Sequence, residues 1–217
     1  MNPDFWLQRW QENQIGFHQS APTPWLLKHW PSLNLSQGAQ VFVPLCGKSL
    51  DMAWLAAQGH RVLGVELSPL AVQQFFAEHG LQPEISTSKY GQHFVASNIE
   101  IILGDAFALD DEVLRDCAGV FDRAAIIALP PALRQRYAHD LYAKLPHGCR
   151  GVLVTLEYPQ AEFAGPPHAV PEDEVHALFD ANWQIELVDR REIPHEHPGH
   201  VGDVSRLDTA IYTMRRR

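Results

Sequence analysis

Between Gln40 and His79 the chain runs through strand, glycine turn, helix, strand and capped helix, and that succession constrains the fold more than any other stretch. It fills about the length of one βαβ unit. Val41-Phe42-Val43 is a short β-forming run, broken by Pro44-Leu45-Cys46-Gly47 where the carboxyl end of a strand turns into a helix. Ser49 is placed to cap that helix, and Asp51 falls in its first turn, where the helix dipole favours a negative charge. Gly59 closes it, and Val62, Leu63 and Val65 mark a second strand ending at Glu66, 19 residues after Gly47. Ser68-Pro69 opens the next helix, with Leu70, Val72, Phe75 and Phe76 inward and Gly80 at its end.

In nucleotide-binding α/β sheets a glycine turn lets the backbone approach the ligand, and an acid about 20 residues later accepts hydrogen bonds from ribose hydroxyls. Gly47 and Glu66 fit those two roles. A dinucleotide fingerprint needs three spaced glycines, whereas Leu45-Cys46-Gly47-Lys48-Ser49-Leu50 has one. Gly47-Lys48-Ser49 imitates the end of a P-loop, but Phe42 stands where that loop requires glycine. What remains is a nucleoside ligand without a phosphate chain, a description met by S-adenosylmethionine.

With 217 residues, 46% of them hydrophobic, the chain can bury a sizeable core, and we expect one domain over 1–217 with 1–35 as an N-terminal helical lid segment. A formal charge of −9 disfavours nucleic acid as a partner. No stretch reaches the roughly 18 apolar residues of a membrane span, and the start carries no targeting pattern, so a cytoplasmic monomer is expected. Cys46, Cys117 and Cys149 are too widely spaced for a disulfide framework or a paired-thiol metal site and read as buried thiols. His195, His197 and His200 form an H-x-H-x-x-H cluster, but Pro194 and Pro198 interrupt any helix that would align the rings; we expect no metal.

Ahead of the first strand, Phe5, Trp6, Trp10 and Ile15 form a helical aromatic stripe, and a second short helix carries Trp25, Leu26, Leu27 and Trp30 up to a stop at Pro31. Trp6, Trp25, Trp30 and Trp54 read as packing residues; Trp10 and Phe17 divide evenly between packing and an aromatic wall over a sulfonium. Residues 84–97 read as a loop or weak hairpin, 99–103 as a buried strand, and Asp105 at its tip as either an adenine contact or a helix cap. Further strands are expected at 117–121, 152–156, 183–188 and 207–214, with a helix over 132–145. The segment between the last two strands is too short for a crossover helix, so they should pair as an antiparallel hairpin. The fold expected is a Rossmann-like seven-stranded, mostly parallel α/β sheet with an antiparallel C-terminal hairpin strand and helices on both faces. Asp122 and Arg123, at the fourth strand's tip, are candidate site residues; the plainer alternative, a local ion pair at a strand end, would still leave them a role in the site.

Gly16-Phe17-His18-Gln19, Val43-Pro44-Leu45-Cys46-Gly47-Lys48, 59–66, Phe121-Asp122-Arg123 and Gly165-Pro166-Pro167 together resemble the thiopurine S-methyltransferase family, particularly its bacterial members. The resemblance spans nearly the whole chain. It implies methyl transfer from S-adenosylmethionine to the sulfur of an aromatic or heterocyclic thiol, such as a thiopurine, with S-adenosylhomocysteine as product; selenium and tellurium compounds are also linked to bacterial relatives. Residue by residue, it implies cofactor contacts at Trp10, Leu45, Glu66 and Arg123, with Asp105 and Ala106 at the adenine and Phe17 near the acceptor. Methyl transfer by in-line displacement asks mainly for positioning, so Arg123 is expected to hold charge, Asp122 to orient it or relay a proton, and no dedicated base is required. Two other readings compete: a non-catalytic nucleoside-binding module of the same fold, and a nicotinamide-dependent oxidoreductase.

Overall fold

The structure is a computed structural model that describes residues 3–193 and 204–217. In chain order it opens with α1 (Pro3–Gln11), α2 (Pro24–His29) and a 3-10 turn over Trp30–Leu33. The βαβ unit follows as β1 (Gln40–Pro44), α3 (Leu50–Ala57), β2 (Arg61–Glu66) and α4 (Pro69–Glu78). Next come β3 (Glu84–Ser88), β4 (Gly91–Ala96), β5 (Ile99–Leu103), α5 (Asp111–Leu114) and β6 (Cys117–Arg123). The chain ends with α6 (Pro131–Arg136), β7 (Arg150–Glu157), α7 (Glu172–Phe179), β8 (Trp183–Glu192) and β9 (Asp208–Arg216).

These strands form one sheet in the order β3-β4-β5-β2-β1-β6-β7-β9-β8. Strands β5, β2, β1, β6 and β7 are mutually parallel. Strand β9 inserts antiparallel between β7 and β8, which is the expected terminal hairpin. The sheet has nine strands rather than seven, because 84–96 folds into the β3–β4 hairpin and β4 pairs antiparallel with β5 along its length. Of the two readings of this segment, loop or weak hairpin, the hairpin forms, and its polar, mixed composition belongs to an edge: every residue of β3 is exposed.

The βαβ unit forms for the reasons its sequence carries. Ser49 caps α3 by accepting from the Asp51 N–H, and Ser68 caps α4 by accepting from Ala71, each worth about 1 kcal/mol. Strand alternation sends Phe42 to one face of the sheet and Val41 and Val43 to the other, and each face has its own core. On the face under α3 and α4 lie Met52, Leu55, Val72 and Phe75, all fully buried; each large apolar side chain contributes roughly 1.5–3 kcal/mol. Gly64 in β2 lets the turn settle there, since a Cβ on it would lie 2.8 Å from Cys46 Sγ and 3.1 Å from Met52 Sδ. Cys46, Cys117 and Cys149 are all buried free thiols.

The second α-helix ends before Pro31, at His29, and Pro31 itself sits inside the 3-10 turn that follows, where a ring that fixes φ is tolerated. The helix expected over 132–145 is α6 followed by a π turn at Tyr137–Leu141 and a 3-10 turn at Tyr142–Lys144. The widened turn puts the hydroxyls of Tyr137 and Tyr142 on the same carboxylate oxygen, Oδ2 of Asp122, at 2.7 and 2.9 Å. The cluster at His195, His197 and His200 lies outside the described residues.

Candidate active site

Strand order reverses at β1, between β2 on one side and β6 on the other, and ligands of open α/β sheets bind at the carboxyl ends of strands at such a point. There the chain forms a small cavity lined by Trp10, Phe17, Leu45, Gly47, Lys48 and Arg123, with His18, Cys46, Ser49 and Ala124. Both non-glycine residues Leu45 (φ 47°) and Ala124 (φ 64°), one after β1 and one after β6, hold left-handed backbone at its wall. Strain of this kind costs on the order of 1–3 kcal/mol and collects at functional sites.

Glu66, at the tip of β2, is 7% exposed. Its Oε2 accepts the Gly47 N–H at 2.8 Å and its Oε1 the Ser68 N–H at 2.8 Å, so the acid joins the glycine turn to the start of α4. Burial raises its carboxyl above the usual range, while the backbone donors pull it back down. Each oxygen retains acceptor capacity, which suits a pair of ribose hydroxyls.

Gly47 itself has φ 53°, and a Cβ there would lie 3.1 Å from the Trp10 indole. Trp10, 4% exposed, rests on the turn, and Phe17 meets it edge-on with ring centroids 5.7 Å apart. The N-terminal segment is held over the site at two further points. Arg123 Nη2 donates to the Phe17 carbonyl at 3.1 Å, and the Thr23 N–H donates to Asp51 Oδ1 at 2.7 Å. Asp51 is nearly fully buried at the start of α3, and its charge supports that of Arg123 against the cost of burial. Among the described residues the Phe17 carbonyl is the one hydrogen-bond acceptor of the Arg123 side chain, so the guanidinium keeps donors for a carboxylate or another anion.

Trp10, Phe17, Leu45, Gly47 and Arg123 thus meet in one cavity, while Glu66 adjoins it through Gly47. Asp105 and Ala106 stand one strand away, where the Gly104 N–H donates to the Glu66 carbonyl at 2.9 Å. Asp105 caps the short 3-10 turn Ala106–Ala108 by accepting from Phe107 at 2.9 Å, and the Ala106 side chain is buried in the core.

Asp122 departs from expectation. Its carboxyl is fully buried, bonded to Tyr137, Tyr142 and the Ile126 N–H (3.2 Å), and it forms no ion pair with Arg123. Adjacent residues of a strand point to opposite faces, so one faces the tyrosine core and the other the cavity. His18 and Lys48 were not selected from the sequence, although both lie in the motifs that carried the resemblance. Lys48 is 9% exposed and paired with Glu78 at 2.6 Å.

A buried acid, a glycine turn and a half-buried cation at the switch point of this sheet suit a nucleoside ligand, and the family match below makes the chain an S-adenosylmethionine-dependent methyltransferase. Solved structures agree in fold. A 1,6-didemethyltoxoflavin N1-methyltransferase of Burkholderia thailandensis, with S-adenosylhomocysteine bound, superposes with TM-score 0.67 at 18% identity over 99% of this chain and 86% of its own. A TehB-like methyltransferase of Corynebacterium glutamicum gives 0.57 at 15% identity, covering 99% and 98%. The thiopurine S-methyltransferase (TPMT) family matches residues 1–217, and the chain belongs to it. Proteins named thiopurine S-methyltransferase from Xanthomonas campestris and Bordetella parapertussis are 58% and 54% identical over 217 residues, covering all of this chain and 100% and 99% of theirs.

Proposed function

We propose that this enzyme moves the methyl group of S-adenosylmethionine to the sulfur of an aromatic or heterocyclic thiol, such as a thiopurine. The observation that carries the reading is the single cavity shared by the Trp10–Phe17 aromatics, the Leu45–Gly47 turn and the Arg123 guanidinium. In this reading Glu66 accepts from the ribose hydroxyls, Asp105 and the backbone of Ala106 receive the adenine, and Trp10, Leu45 and Gly47 wall the cofactor. Arg123 holds the cofactor's carboxylate or the charge of the acceptor, and Phe17 stacks on the acceptor side. The bound cofactor supplies an electrophilic methyl on a sulfonium; the chain aligns the acceptor sulfur behind it and keeps water out. Asp122 acts at one remove, by fixing through Ile126 the turn that carries Ala124.

We take the chain as one domain over 1–217, with 1–35 as the lid segment, working as a cytoplasmic monomer on small molecules and not on nucleic acid. Among the described residues no helix is long and apolar enough to cross a membrane, and the charge of −9 opposes a phosphate backbone. The non-catalytic alternative is not favoured, given 58% identity to a named methyltransferase. The test is turnover of S-adenosylmethionine against a panel of aromatic, heterocyclic and alkyl thiols, read by mass spectrometry. Methylated heterocyclic thiols with one S-adenosylhomocysteine per product support the reading; S-adenosylhomocysteine binding without methylation of any thiol overturns it.

A further inference from the structure

Cys46 and Lys48 in the cavity lining are taken up by burial and by the pair with Glu78, whereas His18 has neither such a pair nor a part in the scheme above. His18 follows Phe17 in the loop after α1 and lines the cavity together with Leu45, Gly47 and Arg123. Its backbone N–H is fixed to the Ile15 carbonyl at 2.8 Å, and among the described residues its ring nitrogens have no hydrogen-bond partner. Three charged side chains act on it electrostatically: Lys48 from the turn before α3, Glu78 from the end of α4, and Arg123 from β6. Lys48 and Glu78 pair at 2.6 Å, and Arg123, supported by Asp51, lines the same cavity as the ring. Burial, Lys48 and Arg123 all lower the basicity of the imidazole, with Glu78 opposing, so at neutral pH it stands in the form that accepts a proton.

We propose that His18 takes the proton from acceptors that reach the site as thiols rather than thiolates. The acceptor S–H bond breaks and its proton bonds to a ring nitrogen of His18. The electron pair left on sulfur forms the new S–CH3 bond while the methyl–sulfonium bond breaks, its electrons remaining on the sulfur of S-adenosylhomocysteine. The imidazolium then releases its proton to water, and Arg123 steadies the transient thiolate. A heteroaromatic thiol acidic enough to arrive ionised bypasses this step, so the need for His18 depends on the acidity of the acceptor. The proposal rests on the S-methyl-transfer reading and adds to it a residue that widens the range of acceptors.

The experiment compares His18→Gln with wild type, using thionitrobenzoate, which is ionised at neutral pH, and benzyl thiol, which is largely protonated. Loss of a general base costs about 10²–10⁴-fold, so kcat/KM on benzyl thiol should fall at least tenfold further than on thionitrobenzoate, with the gap closing as pH rises. A second readout needs no turnover: the affinity of benzyl thiol for the S-adenosylhomocysteine complex should rise with pH through the imidazole titration in wild type, because only the neutral ring accepts from the thiol, and stay flat in His18→Gln. His18→Asn serves if the longer amide disturbs the Trp10–Phe17 packing. Equal losses on both acceptors, or no loss, overturn the proposal. Wild-type activity confined to thionitrobenzoate overturns it as well while leaving S-methyl transfer standing, whereas wild type inactive on both overturns that reading too.

Discussion

The Gly47 N–H donates to Oε2 of Glu66 at 2.8 Å, so the acid at the tip of β2 holds the glycine turn in place. Glu66→Gln converts one carboxylate oxygen, each of which now accepts a backbone N–H, into an amide group that donates. We expect S-adenosylhomocysteine affinity to weaken by about 1–3 kcal/mol, with a smaller fall in turnover at saturating cofactor. Calorimetry that finds the affinity unchanged refutes the ribose assignment.

Arg123→Ala removes a guanidinium that bonds only the Phe17 carbonyl among the described residues and stands at a strand tip. Activity should fall steeply while the melting temperature changes little, because no core contact is lost. Melting and steady-state kinetics decide; a large melting decrease with proportionate loss of all binding assigns the residue to structure instead.

The N-terminal segment touches the site through Trp10 on Gly47, Phe17 on Arg123 and Thr23 on Asp51, with no strand of its own. Segments outside the sheet open at lower free energy than its core and are slowed by a ligand they contact. Amide exchange from Phe5 to Gln19 should slow markedly with S-adenosylhomocysteine, and Trp10→Ala should weaken the cofactor more than Trp30→Ala. The latter acts on the fold: Trp30 is 4% exposed, packs on Phe121 and bonds His60, and its truncation costs about 3–5 kcal/mol of stability. Exchange that is already slow and indifferent to cofactor reduces Trp10 and Phe17 to packing.

What could be read from the sequence was whatever local chemistry decides. Ser49 and Ser68 cap where their types predict, and β1 and β2 follow from runs whose neighbours in the sheet have little say. Residues 84–96 could be read only as a loop or weak hairpin, because the choice between them is made by pairing with β5, which no local pattern announces. The surroundings of Asp122 could not be read locally, because strand alternation and a π turn later in the chain turn it toward two tyrosines and away from Arg123. The left-handed Leu45 and Ala124, and His18 beside Arg123, are products of chain crossing and carry no signature in their residue types.

Asp122→Asn should cost about 1–3 kcal/mol, since the amide offers one acceptor oxygen where two tyrosine hydroxyls and a backbone N–H now bond a carboxyl. Burial holds that carboxyl above the ordinary aspartate range, with the tyrosine and backbone hydrogen bonds opposing. A raised folded value means that the titration contributes stability fully below the ordinary aspartate range, and that this contribution is lost as pH rises through the folded value. The margin of wild type over Asp122→Asn, measured by urea unfolding, should therefore narrow from acid toward neutral pH; a margin that widens contradicts the assignment.

The most direct measurement is the position of the new methyl group when the enzyme, S-adenosylmethionine and a thiopurine are incubated together, because a thiopurine offers ring nitrogens as well as sulfur. The account predicts an S-methyl product, with one S-adenosylhomocysteine released for each. A methyl group on a ring nitrogen, or S-adenosylhomocysteine binding with no methylated product, would contradict it.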